Sequence, residues 1–457
     1  LASTVFSWQQ ARLAEREALR ARATRDFLMG LYKPVSWLSA QPRRGGQVTA
    51  RELLDLSAEQ LQQAPVADPL VQQDLMEALF ELYGDVGSTP DRLRLALALR
   101  AHTRQHAGAD SPAHFLALVQ LAEVQFESDG PAARRTLAEA EALLPRLTLT
   151  DAQQMPFWQV KGQVEEETRL ADAEQALARA VALSTAEGVP PLRRAQALML
   201  LARLRWDGHG QLDEAVALYE RALQTLRDEP GIPAFQRTQP EVELGEVLRL
   251  RGDFARSGDL LRTAFQRSEQ GLGLLHPDTA QTGLRLAEWL RATGQPRASR
   301  ELLQRLLADW SGSERQDDLL TVPNLHRQLA ETLVAQGQGA AALPHSAQAM
   351  AGLERRYGAQ PSVTHAVWLL ESARAAALAG QVRQAQAQLA RAQAEAATIE
   401  PTPAYHRKRA AVRATVAVLA QAAQTPGPSA AADEALAEWE RAGLPLDRKS
   451  TRLNSSH

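Results

Sequence analysis

The feature that most constrains this sequence is a pattern of large and small residues that recurs at intervals of about 42 positions. It is clearest between residues 244 and 264, where it consists of Leu244-Gly245, Leu248, Gly252, Ser257, Leu261 and Ala264. Small side chains let two helices approach closely, and large side chains fill the gap to the next pair of helices. The pattern is therefore typical of helical hairpins stacked one on another.

Further copies of the pattern extend over most of the chain. Strong copies lie downstream at Leu286-Ala287 to Leu303, Leu329-Ala330 to Ala349, and Ala373 to Ala392. Upstream, Leu201-Ala202 to Ala222 matches after a slip of one residue between its two helices, and weaker copies contain Val160, Leu121-Ala122 and Leu79. Together they predict eight repeats over residues 70–397. The expected fold is all-α, a right-handed α-solenoid of helical hairpins.

The offsets resemble those of tetratricopeptide repeats, although the interval is longer than the basic unit of about 34 residues. The extra length lies in connectors such as Gly271–Thr279 and Tyr357–Val363. His276-Pro277-Asp278-Thr279 resembles the connector of the kinesin-light-chain type of repeat. We expect Pro277 to end one helix and Asp278 or Thr279 to cap the next.

Composition narrows the range of functions. The net charge of −3 provides no overall positive field for nucleic acid or anionic lipid. The absence of cysteine excludes disulfides, thiol nucleophiles and cysteine-based zinc sites, and it is compatible with either the cytoplasm or the periplasm.

The segments outside the repeats carry separate expectations. Residues 1–32 read as a charged helix whose apolar start is either the end of a membrane span or an ordinary amphipathic helix, and residues 33–69 as a loop and a capping helix. Residues 398–446 read as C-terminal capping helices. Residues 447–457, DRKSTRLNSSH, match a translated sequencing adapter and are expected to be an artefact, so the reading frame is expected to be a fragment.

Two N-terminal motifs carry a more specific resemblance. Arg25-Asp26-Phe27-Leu28 with Leu31, followed by Val48-Thr-Ala-Arg-Glu-Leu-Leu-Asp55, is similar to the region that joins membrane span and repeats in bacterial membrane-spanning Ser/Thr protein kinases. The resemblance implies a sensor or protein-interaction region beyond the inner membrane, with the repeats periplasmic and the kinase acting in signal transduction. The alternative is the repeat domain of a soluble cytoplasmic regulator, either a transcription factor or a nucleotide-switch ATPase.

The kinase motifs themselves are absent from this sequence. It contains no glycine-rich phosphate loop, no Val-Ala-Ile-Lys, no His-Arg-Asp-Leu and no Asp-Phe-Gly. We therefore transfer no catalytic residue, and we expect neither enzymatic activity nor a cofactor in this chain.

The histidines do not suggest a metal site. His102 and His106 share one helical face but lack a third ligand, so a solvated helix end is the simpler interpretation. The other histidines, including His114, His326, His345 and His365, occur singly and are expected at the surface or in connectors.

The candidate binding residues come from the inner side of the array. In tetratricopeptide arrays the first helices line this side, and the residues two and five positions beyond the key leucine point into it. Those residues are Glu123, Glu246, Glu288, Glu331, Trp206, Arg249 and Arg291. Such a groove is expected to hold a protein or peptide ligand through charge-assisted hydrogen bonds. In the alternative interpretation, the i, i+3 pairs Glu246/Arg249 and Glu288/Arg291 neutralise each other on their own helices.

Overall fold

The structure is a computed structural model that describes residues 50–63, 66, 68–85, 89–127, 129–166, 169–311, 320–358 and 361–398. These ranges contain seventeen α-helices and no strand. The prediction of an all-α fold built from tetratricopeptide-type hairpins is confirmed. Within these ranges no helix is both long enough and apolar enough to cross a bilayer. The segments predicted over 1–32 and 447–457 lie outside the described residues, as do residues 33–49 of the segment predicted over 33–69 and residues 399–446 of the segment predicted over 398–446.

The helices follow one another at short intervals along the chain. They are α1 Ala50–Gln63, α2 Pro69–Asp85, α3 Thr89–His106, α4 Pro112–Phe126, α5 Gly130–Leu143, α6 Asp151–Glu165, α7 Leu170–Leu183, α8 Pro191–Arg203, α9 Leu212–Arg227, α10 Thr238–Arg251, α11 Phe254–Leu272, α12 Pro277–Ala292, α13 Pro296–Ser311, α14 Thr321–Ala335, α15 Gly339–Tyr357, α16 Val363–Leu378 and α17 Val382–Thr398. Helices α2 to α5 pair as two hairpins, and α8 to α17 pair as five, each with a first and a second helix.

The chain divides into two compact units, residues 1–164 and 165–457. In the first unit, α1 packs on α2, α2 on α3, α3 on α4 and α4 on α5. Phe80 and Tyr83 centre one apolar cluster of this unit, and Phe115 and Phe157 centre another.

In the second unit, α8 to α17 form five hairpins in which each helix contacts the next. The first helices of neighbouring hairpins also meet, since α12 contacts both α10 and α14, and α14 contacts α16. The main core of this unit includes Leu261, Leu286, Leu303 and Trp310. The first helices therefore form one face of the second unit, and this face positions the charged residues described below.

The small residues of the repeat lie where the two helices of a hairpin cross. A Cβ atom on Gly245 would lie 2.9 Å from the Leu261 side chain, so the close approach of α10 and α11 depends on glycine there. The Ser257 hydroxyl donates a 2.7 Å hydrogen bond to the Gly245 carbonyl, and Ser299 repeats this bond to Ala287 at 2.8 Å. The recurring serine therefore fits the crossing by its size and also by its hydrogen bond.

The recurring glycine after the first helices α10, α12, α14 and α16 takes the left-handed conformation. Gly252 has φ of 92° and closes α10, where its N–H donates to the carbonyl oxygens of the last turn. Glycine adopts this conformation without the steric cost that other residues incur. Gly294, Gly337 and Gly380 have the same sign of φ at the matching positions, at 78°, 75° and 76°.

The connector between α11 and α12 corrects one expectation. Pro277 is the first residue of α12, and His276 is the N-cap, whose ring Nδ1 accepts from the Asp278 N–H at 3.2 Å. The prediction that Asp278 or Thr279 would cap this helix was wrong. Proline fits the first helical position because the N–H that it lacks has no partner there.

The one-residue slip in the fourth repeat has a structural cause. Helix α8 does not stop at Arg203 but continues into a π-helical turn over Leu204–Gly208. A π turn holds one more residue than an α turn, so it absorbs an insertion without shifting the flanking contacts. Ala215 and Tyr219 of α9 are accordingly fully buried in the expected register.

Candidate functional site

Charged side chains are concentrated on the face formed by the first helices of the second unit, α8, α10, α12, α14 and α16. We call this surface the first-helix face. Its polar members are Arg203, Glu243, Glu246, Arg249, Arg285, Glu288, Arg291, Arg327, Gln328, Glu331, Glu371 and Arg374. This surface thus carries six arginines and five glutamates, and its net charge is close to zero.

Helices α10 and α12 are joined by a chain of ion pairs. Arg249 donates two hydrogen bonds to Glu246 on its own helix, at 2.7 and 2.9 Å, and a third to Glu288 on α12 at 3.3 Å. Glu288 also lies 3.5 Å from Arg285. One carboxylate therefore holds two guanidinium groups that come from neighbouring repeats.

The charges in this group of ion pairs favour the ionised forms of Glu288 and Arg285. Burial opposes ionisation of Glu288, but the neighbouring Arg249 and Arg285 outweigh it and hold the pKa of this carboxyl below its usual value. Burial likewise disfavours the charged form of Arg285, yet Glu246 and Glu288 raise its pKa. The ion pairs between α10 and α12 thus form a fixed arrangement of charges in a partly desolvated position.

Helices α14 and α16 are linked in the same way. Arg327 donates to Glu371 at 2.8 Å, and Arg374 donates to Glu331 at 3.3 Å. Burial raises the pKa of Glu371 above its usual value, and the nearby Glu331 adds to this effect while Arg327 opposes it. The Arg327 guanidinium lies 5.5 Å from the centroid of the Trp368 ring, which supports it from one side.

Two charged members of the face make no ion pair with any described residue. Arg291 donates a 2.6 Å hydrogen bond to the neutral amide oxygen of Gln328. Glu243 accepts a 3.0 Å hydrogen bond from the amide of Gln239, one turn earlier on α10. Burial raises the pKa of Glu243, and the more distant Arg285 and Arg203 only partly offset this.

Five of the seven predicted groove residues lie on the first-helix face: Glu246, Arg249, Glu288, Arg291 and Glu331. Glu123 belongs to the first unit, where its carboxylate lies 3.4 Å from Arg92. Trp206 lies in the π turn and packs against the apolar cluster that contains Tyr219. Their role in binding stays a prediction.

The sequence analysis did not identify seven members of this face: Arg203, Glu243, Arg285, Arg327, Gln328, Glu371 and Arg374. A signal for four of them is present, because one position of the repeat is polar in four successive hairpins, at Glu243, Arg285, Gln328 and Glu371. In the first three hairpins the key leucine follows this position, and in the fourth Ser372 follows it. The expected pairing within single helices holds for Glu246 and Arg249. Glu288 instead pairs with Arg249 and Arg285 rather than with Arg291.

Three histidines expected at the surface are buried. His114 lies within 3.2 Å of the Thr103 hydroxyl. Nδ1 of His326 lies 2.8 Å from Nδ1 of His345, and His365 lies between Glu395 at 2.7 Å and Glu354 at 3.2 Å. The expectation of surface positions was wrong for these residues. Across the described ranges, no group of three or more His, Cys, Asp or Glu residues is arranged to hold a metal ion.

Comparison with known proteins agrees with this architecture. Residues 238–310 match the tetratricopeptide repeat family model. No curated protein matches the chain.

Several solved structures share the fold. A Rap protein complexed with competence and sporulation factor aligns with a TM-score of 0.55 at 11% identity, covering 82% of this chain and 97% of that protein. The apo form of the quorum sensor NprR from B. thuringiensis aligns with a TM-score of 0.53 at 11% identity, covering 82% and 98%. The apo form of RapI aligns with a TM-score of 0.51 at 10% identity, covering 93% and 97%.

The chain therefore has the fold of a tetratricopeptide-repeat scaffold. Tetratricopeptide repeats serve as scaffolds for protein–protein interaction through the extended surface of their stacked helices.

Proposed function

We propose that the first-helix face of the second unit binds a peptide segment of a partner protein. The observation that carries the proposal is the concentration of half-buried charged side chains on the first helices of five consecutive hairpins. Arginine and glutamate in fixed positions can form charge-assisted hydrogen bonds with the side chains and the backbone of a bound peptide. The similarity in fold to a Rap protein complexed with a factor supports this use of the architecture.

Selection from a random peptide library against the intact chain tests this proposal. Peptides that are enriched should bind the wild-type chain, and substitution of Glu288→Gln together with Arg249→Gln should weaken them about tenfold or more. The matched control is Arg256→Gln on the second helix α11, where an exposed arginine pairs with Glu220 at 2.7 Å. Equal binding to all three proteins would place the peptide elsewhere, and failure to enrich any peptide would contradict the proposal.

We further propose that the repeats belong to a bacterial membrane-spanning Ser/Thr protein kinase, with the repeats on the extracytoplasmic side. The support is the pair of N-terminal motifs, Arg25–Leu28 with Leu31 and Val48–Asp55, most of which lies outside the described residues. Genomic sequence upstream of the Leu1 codon tests this. A kinase domain followed by about 20 apolar residues is the expected result. A helix-turn-helix or a P-loop there would favour the soluble cytoplasmic regulator instead.

A further inference from the structure

The pairing of charges on the first-helix face is almost complete, and its two exceptions are informative. Arg203 pairs with Glu166, Arg249 and Arg285 pair with Glu246 and Glu288, and Arg327 and Arg374 pair with Glu371 and Glu331. Among the charged residues of this face, Glu243 and Arg291 alone lack an ionic partner within the described part of the chain. A ligand that binds a charged residue already in an ion pair must compete with the partner of that residue. At Glu243 and Arg291 a ligand meets no competing ion pair.

The surroundings of Glu243 favour a basic ligand group. The Glu243 side chain is half-buried, and among the described residues its carboxylate accepts a hydrogen bond only from the neutral amide of Gln239. Burial raises the pKa of Glu243 because it disfavours the ionised form, and the charges of Arg285 and Arg203 offset this only in part. A bound cation would stabilise the ionised form further.

The surroundings of Arg291 favour a carboxylate. Its guanidinium donates one 2.6 Å hydrogen bond to the amide oxygen of Gln328. No carboxylate of a described residue lies within ion-pairing distance of it. The planar guanidinium offers five N–H donors, and it suits two-point contact with a carboxylate. The bond to Gln328 fixes the group in position without neutralising it.

We propose that Glu243 and Arg291 determine the specificity of the first-helix face, with Glu243 binding a basic side chain of the peptide and Arg291 binding an acidic one. This proposal rests on the proposed peptide-binding function. The two residues lie on neighbouring first helices, which pack roughly 8–10 Å apart. Relative to Leu244 and Leu286 they are offset by about six residues, or about 9 Å along the helices.

The distance between the two helices and the shift along their axes together set the spacing between the two charges of the ligand. The combined separation of about 13 Å corresponds to roughly four residues of extended peptide. The preferred ligand is therefore an extended peptide that carries Lys or Arg and Asp or Glu about four positions apart. A peptide with a single charge, or with two like charges, would satisfy one residue and leave the other without a partner.

The test is library selection repeated against three single variants. Random twelve-residue peptides displayed on phage are selected against the intact wild-type chain, Glu243→Gln, Arg291→Gln and the control Arg256→Gln. We expect wild type and control to enrich peptides with opposite charges about four positions apart. Glu243→Gln should lose only the basic preference and Arg291→Gln only the acidic preference. For one selected peptide, each of these two substitutions should weaken binding roughly ten- to a hundredfold.

The outcomes separate this inference from the proposed function. If peptides are enriched but neither substitution changes their charge pattern, the assignment of Glu243 and Arg291 is overturned while peptide binding stands. If no peptide is enriched, both proposals fall. Thermal melting of each variant confirms folding. Glu243→Gln should melt at least as high as wild type, because it removes a half-buried carboxylate that makes no ion pair with a described residue.

Discussion

Arg249 of α10 donates a 3.3 Å hydrogen bond to Glu288 of α12, and it donates two shorter bonds to Glu246 on its own helix. The guanidinium thus links two successive repeats on the face that we propose as the binding surface. Such a residue contributes both to the cohesion of the array and to the electrostatic pattern that a ligand meets. Stability and binding are therefore coupled at this position.

Replacement of Arg249 by Met should destabilise the second unit. Glu246 and Glu288 would lose their main counter-charge in partly buried positions, and we expect the free energy of unfolding to fall by about 2 kcal/mol. Urea unfolding followed by circular dichroism measures this. The control is Arg146→Met in the first unit, where an exposed arginine lies 3.7 Å from an exposed Asp110. That change should stay within about 0.5 kcal/mol, and equal effects from the two variants would contradict a structural role for the chain of ion pairs.

Replacement of Gly252 by Ala should also cost stability, through the backbone. At φ of 92° an alanine Cβ is strained even though no atom lies within 4 Å of the added carbon. We expect a loss of about 1 kcal/mol or more in the free energy of unfolding. Gly130→Ala is the matched control, since Gly130 also has open space but begins helix α5 without a positive φ. Its stability should be unchanged or slightly higher.

The repeat pattern sufficed to predict the fold because every element of a hairpin has a local signature. The crossing needs a small residue such as Gly245, the turn needs a left-handed glycine such as Gly252, and the gap between hairpins needs a large residue such as Leu261. These requirements act within a few residues of sequence and recur at a fixed interval. The π turn was visible only as a slip in register, since an inserted residue leaves the same gap whether it lies in a loop or in a helix.

The charge pairs and the buried histidines were beyond the sequence for a different reason. Glu288 has an arginine at i−3 and at i+3, and sequence alone ranks Arg285 and Arg291 equally. Which arginine pairs with Glu288 depends on Arg249 of α10, and the packing between repeats determines whether that side chain is close enough to contact Glu288. His326 and His345 lie 19 residues apart on the two helices of one hairpin, so their contact depends on the register between helices.

Acid should destabilise the hairpin of α14 and α15 through His326. Burial, and then the neighbouring His345, lowers the pKa of His326 to about 4. The unfolded chain keeps the ordinary value near 6.5 and binds a proton at higher pH, so stability is lost as the pH falls from about 6.5 toward 4. The loss should be on the order of 1 to 3 kcal/mol in the free energy of unfolding.

Unfolding measured from pH 7.5 to 4.5 for wild type and His326→Gln checks this expectation. The variant should show a shallower dependence on pH because it carries no imidazole at this position. His106→Gln, which changes an exposed residue, should retain the wild-type dependence. Parallel curves for wild type and His326→Gln would show that this histidine does not titrate differently in the folded chain.

The π turn predicts an unusual tolerance to deletion. Removing Asp207 should let Leu204–Gly208 close as an ordinary α turn, since the other strong repeats have one residue fewer at this point. Removing Leu250, the matching position of α10, should rotate the end of that helix by about 100° and displace the Gly252 turn. We expect the first deletion to lower the melting temperature by no more than roughly 5 °C and the second to abolish cooperative unfolding of the second unit. Thermal melts of both variants, followed by circular dichroism, measure the two effects. If the surrounding helices require the π turn, and an extra residue is not its cause, the two deletions will be equally damaging.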